Sequence, residues 1–218
     1  MCFSATASFV AGFSLAVIGV VTAKRARRRT DLPFALIPLL FGIQQLIEGM
    51  LWLSFDLDTP AFKSIMAYAF SVFSHTLWPI FVPFAIAMLE PETRRRHRIL
   101  AFQAVGLGIG LYLLYFIVRY PLTAVEGEHI VYVVTYFSKL PAMTLYLAAT
   151  CLVCLLSSHR LVRVFGTLTL LFFFIAYWFY AVALFSVWCY FSAVLSAIIF
   201  LYFRPLEASR PLSATIST

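Results

Sequence analysis

Long apolar segments, separated by short polar connections, are the feature that most limits what this chain can fold into. Seven of them have roughly the 17–25 residues that an α-helix needs to cross about 30 Å of hydrocarbon. They cover residues 5–23, 33–55, 62–89, 99–118, 140–157, 161–184 and 187–203. The sequence therefore predicts an all-α fold, a polytopic membrane bundle of seven transmembrane helices.

The composition excludes the other broad classes of protein. Of the 218 residues, 63% are hydrophobic and only 11% are charged, whereas a soluble domain has about 25% charged residues. A globule of this size cannot hide so much apolar surface from water. A soluble enzyme, a disordered chain and a disulfide-rich secreted domain are thereby excluded, and the lipid bilayer is the expected partner.

The net charge of +7 predicts membrane topology rather than nucleic-acid binding, because the basic residues cluster at the ends of apolar segments. Alternate connections carry them: Lys24, Arg25, Arg27, Arg28 and Arg29 in the first, Arg94, Arg95, Arg96 and Arg98 in the third, Arg160 and Arg163 in the fifth, Arg204 and Arg210 in the tail. The other connections are poor in them. Cytoplasmic loops are the basic ones, so we expect the N-terminus outside, the C-terminus in the cytoplasm, and a bacterial cytoplasmic (inner) membrane as the location.

The chain reads as one transmembrane domain over residues 1–205, with a cytoplasmic tail over 206–218. The sixth and seventh segments run almost together, and we expect a tight turn at 183–186 between them. The external connection 120–137 contains two stretches, 122–125 and 130–136, rich in β-branched and aromatic residues. These predict a short hairpin that caps the outer mouth of the bundle, with an irregular loop as the alternative.

Two strongly ionisable residues lie well inside the apolar segments, Glu48 in the second and His75 in the third. Counting about 1.5 Å per residue from the outer ends, Glu48 lies about 10 Å deep and His75 about 14–20 Å. The two side chains are therefore expected to meet directly or through a water molecule. A charge at mid-bilayer costs about 2.5–3.5 kcal/mol, and such residues usually face the bundle interior and mark a site.

Polar residues accompany both candidates on the same helix faces. They are Gln44, Gln45, Ser71, Tyr68 and Trp78. Pro79 follows His75 by four residues and has no N–H to bond the His75 carbonyl, so the third helix is expected to kink there. The alternative is that Glu48 and His75 only fasten two helices, but interhelical hydrogen bonds average about 0.6 kcal/mol, less than the cost of insertion.

Cysteines extend the site hypothesis to a metal. Cys2 precedes the first segment and Cys189 lies near the outer end of the seventh, so the two thiols could pair as a disulfide. Alternatively, Cys2, His75, Glu48 and Cys189 form a ligand set that suits zinc. The seventh segment has no lysine for a retinal Schiff base, and one intramembrane histidine cannot supply bis-His haem ligation.

Three stretches carry a resemblance to a known family. The chain opens Met1-Cys2-Phe3-Ser4, the second segment contains Gln44-Gln45-Leu46-Ile47-Glu48-Gly49, and the seventh begins Val187-Trp188-Cys189. Over most of its length the chain resembles a family of uncharacterised bacterial integral membrane proteins. The resemblance implies a seven-helix membrane protein and implies no activity.

Three functions are compatible with these patterns. The first is an outward-facing Glu/His site that binds or translocates a small ligand, an ion or a proton. In that case Glu48 carries the proton or cation, His75 is its partner, and Ser71 and Gln44 orient them. The second is a membrane-embedded, metal-dependent hydrolase, and the third is a scaffold or sensor subunit without chemistry.

Overall fold

Helices occupy most of the part of the chain that the computed structural model describes, which is residues 4–57, 59–127, 129–133 and 139–204. The α-helices are α1 (Ala5–Arg25), α2 (Leu32–Ala35), α3 (Ile37–Asp56), α4 (Pro60–Ser71), α5 (Trp78–Leu89), α6 (Thr93–Arg119), α7 (Lys139–Leu147), α8 (Val153–Leu155), α9 (Arg160–Phe179), α10 (Leu184–Ser196) and α11 (Ile198–Tyr202). Val72–Leu77 and Ala148–Leu152 are π-helical, and Ala181–Ala183 is a 3₁₀ turn. The predicted all-α bundle is confirmed.

Six helical segments are long and apolar enough to cross a membrane, so the chain is a multi-pass membrane protein. They are Ala5–Arg25, Leu32–Asp56, Pro60–Leu89, Thr93–Arg119, Arg160–Phe179 and Ala181–Tyr202. The segment predicted as the fifth span, residues 140–157, forms the shorter apolar helix Lys139–Leu155. Length and composition therefore identify six of the seven predicted spans.

Small residues let the helices pack closely. On α1, Gly12 and Gly19 belong to the buried face, and a Cβ on Gly19 would lie 2.3 Å from the backbone nitrogen of Leu39. On α6, a Cβ on Gly106 would lie 1.9 Å from the carbonyl oxygen of Pro79. Such close backbone approach through glycine is typical of helix pairs in membranes.

The third span changes from α-helix to π-helix at the position where the sequence predicts a kink. Val72–Leu77 forms a π-helical turn that contains His75 and ends at Trp78, immediately before Pro79. Because Pro79 has no N–H, the regular bonding pattern cannot continue through this point. A π-helical turn accommodates the change, and such turns are frequent at functional sites.

The predicted hairpin is confirmed. Strands β1 (Thr123–Val125) and β2 (Val131–Val133) pair antiparallel, with Ala124 opposite Tyr132. The Tyr132 ring stacks on Phe70 with centroids 4.4 Å apart, and this packing attaches the hairpin to the third span. Residues 134–136, which the prediction included in the second strand, lie outside the described residues.

The break between the last two long helices lies earlier than the predicted turn at 183–186, which was wrong. Helix α9 ends at Phe179 and α10 begins at Leu184. No glycine or proline marks this boundary in the sequence. As a result, Phe185 and Ser186 belong to the first turn of α10, and Ser186 is buried in the bundle.

The two ends of the bundle differ in what they carry. The hairpin end carries β1 and β2. The arginine end carries the end of α1 at Arg25, the start of α9 at Arg160 and the end of α11 near Arg204.

Candidate functional site

Glu48 lies on α3 with none of its surface exposed. Its Oε1 accepts a hydrogen bond of 2.6 Å from the Ser186 hydroxyl, and its Oε2 accepts one of 3.3 Å from Gln45 Nε2. Tyr132, on the hairpin, is close enough to interact electrostatically with the carboxyl group. Glu48, Gln45, Ser186 and Tyr132 are called the Glu48 cluster below.

No lysine or arginine of the described ranges forms an ion pair with Glu48. A buried carboxylate inside a membrane bundle is costly without a compensating charge. The donors around it are an amide and hydroxyl groups, which stabilise negative charge only in part. The cluster is therefore suited to holding a proton or a cation at Glu48.

The hairpin contributes the Tyr132 hydroxyl, which is buried and makes no hydrogen bond within the described residues. Burial, reinforced by the nearby negative charge of Glu48, raises the pKa of the Tyr132 hydroxyl well above its ordinary value. Tyr132 consequently keeps its proton at physiological pH and can donate it in a hydrogen bond.

His75 lies in the π-helical turn with 1% of its surface exposed. Its Nδ1 is 2.7 Å from the Ser74 hydroxyl, whereas its Nε2 is buried and has no hydrogen-bond partner among the described residues. The Phe185 ring covers the imidazole, with ring centroids 4.1 Å apart. The Tyr146 hydroxyl donates to the Ser74 carbonyl and so holds the turn from a third helix.

Helix α10 contacts both Glu48 and His75. Within the described ranges no hydrogen bond joins the two side chains, so the expected direct contact is not seen. Instead, consecutive residues of α10 reach both of them, Phe185 over His75 and Ser186 at Glu48. The sequence does not indicate these two residues as site residues, because they fall in the turn expected at 183–186.

A cavity of about 440 Å³ lies next to these groups at the hairpin end. Its polar lining residues are His75, Tyr132, Lys139, Tyr177 and Ser186. Its apolar lining residues are Ile130, Val133, Leu140, Met143, Ala181, Val182, Ala183, Leu184 and Phe185. Ser186, the residue that donates to Glu48, is therefore also a lining residue of the cavity.

Gln44 and Trp78 form a separate polar contact. The Trp78 indole N–H donates to Gln44 Oε1 at 2.6 Å, and the indole stacks on Phe41 with ring centroids 3.8 Å apart. The Cys189 thiol also interacts with Gln44 and lies near Glu48. The stacked rings of Trp78 and Phe41 therefore fill the bundle interior next to the Glu48 cluster.

The remaining predicted residues take other positions. The Ser71 hydroxyl is buried and has no hydrogen-bond partner in the described part of the chain. The Tyr68 hydroxyl accepts a hydrogen bond of 3.3 Å from the backbone N–H of Leu122. Tyr68 therefore helps to hold the hairpin and is a supporting residue.

The zinc site stays a prediction. Cys2 lies outside the described residues, and so does any pairing of Cys2 with Cys189. Among the residues that the structure does describe, no three His, Cys, Asp or Glu side chains come close enough to hold a metal ion.

A second buried glutamate lies at the arginine end. Glu90 is 4% exposed, and its Oε2 accepts hydrogen bonds from the Ser158 backbone N–H at 2.8 Å and the Ser157 hydroxyl at 3.2 Å. Burial would raise the pKa of the Glu90 carboxyl, but these bonds outweigh it, and the pKa is lowered from its ordinary value. We call Glu90, Ser157 and Ser158 the Glu90 clasp.

Comparisons with known proteins give a family and no activity. No curated protein and no solved structure matches the chain. Residues 1–214 match a family described as "Family of unknown function (DUF6629)". The chain belongs to this family.

Proposed function

We propose that this member of the DUF6629 family binds a small amphipathic molecule in the hairpin-end cavity, with Glu48 and His75 as the ionisable groups of the site. One observation carries the proposal. Ser186 lines the cavity and donates a 2.6 Å hydrogen bond to Glu48, so a ligand that contacts Ser186 acts directly on the buried carboxyl group.

The cavity suits a ligand with an apolar body and a polar head. Its volume of about 440 Å³ falls in the range of roughly 300–1,000 Å³ that small-molecule sites occupy. Leu140, Met143 and Leu184 supply apolar walls, while Ser186 and Tyr132 supply hydroxyl groups. A head group with a donor, such as an amine or a hydroxyl, can replace the Ser186 hydroxyl at Glu48.

Each ionisable residue has a distinct role in this proposal. Glu48 holds a proton when the site is empty and releases it to water when the donor of the ligand head group bonds the carboxylate. His75 presents an Nε2 that is buried without a partner in the described structure and accepts or donates one further hydrogen bond. Gln45 holds the carboxyl group from its own helix.

Binding is favoured over passage of the ligand through the bundle. Beyond Glu48, Trp78 stacks on Phe41 and bonds Gln44, and the neighbouring cavity has a volume of only about 30 Å³. Among the described residues, a molecule that fills the hairpin-end cavity would therefore meet packed side chains and a much smaller cavity beyond Glu48. Proton or cation movement through Glu48 remains compatible with this arrangement.

The proposal includes seven membrane crossings, with the hairpin end facing outward. Lys139 lines the cavity at the hairpin end, whereas Ser157 bonds Glu90 at the arginine end. The short helix Lys139–Leu155 therefore runs between the two ends and is assigned as the fifth of seven crossings. The basic connections then face the cytoplasm, and a bacterial inner membrane is the proposed location.

The test measures binding of three labelled probes, decylamine, decanol and decanoate, to the full chain in lipid nanodiscs. Val182 lines the cavity and is 79% exposed, so Val182→Trp should obstruct the mouth. Val194, on the helix α10 that follows Val182, is 51% exposed and is absent from the cavity lining, which makes Val194→Trp the matched control. Empty nanodiscs correct for partition into lipid.

We expect decylamine or decanol to bind the wild type and Val194→Trp equally, and to bind Val182→Trp and Glu48→Gln weakly. Decanoate should bind less well because its carboxylate offers no donor to take the place of the Glu48 proton. The proposal is wrong if none of the three probes binds above the lipid background. It is equally wrong if Val182→Trp binds them as tightly as the wild type.

A further inference from the structure

A second cavity, of about 460 Å³, lies at the arginine end, between the end of α1, the connection that follows it and the end of α11. It is distant in the fold from the Glu48 cluster and takes no part in the function proposed above. Its lining residues are Arg25, Arg27, Arg28, Asp31, Tyr202, Phe203 and Arg204. Four guanidinium groups thus share one cavity with a single carboxylate.

The charges in this cavity are not balanced by ion pairs. Among the described residues, no salt bridge joins Asp31 to any of the four arginines. The Nη1 of Arg25 is buried and has no hydrogen-bond partner in the described part of the chain. A buried cationic donor without an acceptor is costly, and four like charges in one cavity repel one another.

Arg25 is held in place by packing rather than by a counter-charge. Its guanidinium carbon lies 4.4 Å from the centroid of the Phe200 ring. A guanidinium group that stacks on an aromatic ring keeps its N–H donors in a fixed plane, as two-point recognition of an anion requires. Tyr202 and Phe203 add aromatic surface to the same cavity.

We infer that this cavity binds a phosphate group. Guanidinium groups bond phosphate oxygens in pairs, and a phosphate would supply both the missing acceptor for Arg25 and the missing negative charge. The cavity lies where transmembrane helices end, which is the depth of lipid head groups, and basic pockets between helices bind anionic lipids there. The phosphate belongs either to an anionic phospholipid or to a soluble phosphate ester.

The experiment follows thermal unfolding of the full chain in detergent micelles while one of three additives is titrated. The additives are dioleoylphosphatidylglycerol, dioleoylphosphatidylcholine and glycerol 3-phosphate. Arg25→Gln removes the buried guanidinium group. Arg29→Gln is the matched control, because Arg29 is exposed in the same connection and does not line the cavity.

We expect phosphatidylglycerol or glycerol 3-phosphate to raise the unfolding temperature of the wild type and of Arg29→Gln alike. Phosphatidylcholine should raise it less. Arg25→Gln should need about tenfold more of the same additive, as loss of a hydrogen bond between charged groups implies. Stabilisation by phosphatidylglycerol alone identifies a lipid as the source of the phosphate, and stabilisation by glycerol 3-phosphate identifies a soluble ester. If Arg25→Gln does not fold, Arg28→Gln is judged by the same criterion.

Two results overturn the inference. In the first, neither anionic additive stabilises the wild type. In the second, Arg29→Gln is weakened as much as the cavity variant, since attraction to the basic surface then explains the binding.

Discussion

Two buried glutamates, at opposite ends of the bundle, are held in different ways. Glu90 is bonded by a backbone N–H and by the hydroxyl of the residue before it, both in the connection that leads into α9. Glu48 is bonded only by side chains, those of Ser186 and Gln45. Ser186 also lines a cavity of about 440 Å³, and the cavities described contain neither Glu90 nor its partners.

We propose that the difference separates a carboxyl group that fixes the fold from one that is available to a ligand. A backbone donor cannot rotate away without moving the chain, so the Glu90 clasp joins the third span to the start of α9. A serine hydroxyl can rotate about its own bonds, so the contact at Glu48 can be exchanged. Burial alone does not distinguish the two glutamates.

The largest expected effect comes from a change that moves the third span, which contains His75 and ends immediately before Glu90. Gly106→Ala should destabilise the protein by about 3 kcal/mol, the upper part of the range for overpacking, because the added Cβ would lie 1.9 Å from the Pro79 carbonyl oxygen. Gly108→Ala, which meets nothing within 4 Å, is the control. Thermal unfolding in detergent should separate the two, and equal stabilities would argue against the helix packing described here.

Glu90→Ala should be the next most damaging change, at about 2 kcal/mol, because it leaves the Ser158 N–H and the Ser157 hydroxyl without a charged acceptor. Glu92→Ala serves as control, since Glu92 is exposed and its carboxylate pairs with Arg95 on the surface, where such pairs contribute little. The same unfolding assay applies. A Glu90 variant as stable as the Glu92 variant would remove the structural role assigned to the clasp.

The pH dependence of stability should report the clasp. The pKa of Glu90 is lowered on folding, so its contribution is present above the ordinary carboxyl pKa of about 4.3 and is lost as the pH falls through the folded value. Unfolding temperatures measured from pH 6 down to pH 3 should therefore fall less steeply for Glu90→Gln than for the wild type. A steeper fall in the variant would show that the sign of the shift is wrong.

Glu48→Gln should have the smallest effect on stability, below about 1 kcal/mol, because the amide oxygen still accepts from Ser186 and no backbone donor is left unpaired. Glu90→Gln is the matched comparison and should lower the free energy of unfolding by more than Glu48→Gln does. Both are measured by thermal unfolding at neutral pH without added ligand. If Glu48→Gln is the more damaging of the two, Glu48 is the structural residue and the comparison is reversed.

The sequence predicts the class of fold because long apolar segments admit few alternatives in lipid. It also predicts the hairpin, whose β-branched and aromatic residues flank a polar turn, and it identifies Glu48 and His75 as buried ionisable residues. It does not locate the start of α10, because no glycine or proline marks the break before Leu184.

Because the sequence does not show where α10 begins, it does not identify the residues of α10 that contact both Glu48 and His75. Phe185 and Ser186 reach His75 and Glu48 only because α10 begins at Leu184, immediately before them. Likewise, Tyr132 reaches Glu48 from a strand that is distant in sequence. Helical spacing relates residues within one span and carries no information about which residue of another element lies opposite.

Carbodiimide labelling tests the central claim most directly, because dicyclohexylcarbodiimide is apolar and modifies protonated carboxyl groups inside membranes. Peptide mass spectrometry then gives the modified fraction of Glu48 and Glu90 in one sample. We predict modification of Glu48 in the wild type and in Val194→Trp, much less in Val182→Trp, and none of Glu90. Modification of Glu90 at the rate of Glu48, or modification of Glu48 that Val182→Trp does not reduce, would contradict a ligand-accessible site at Glu48.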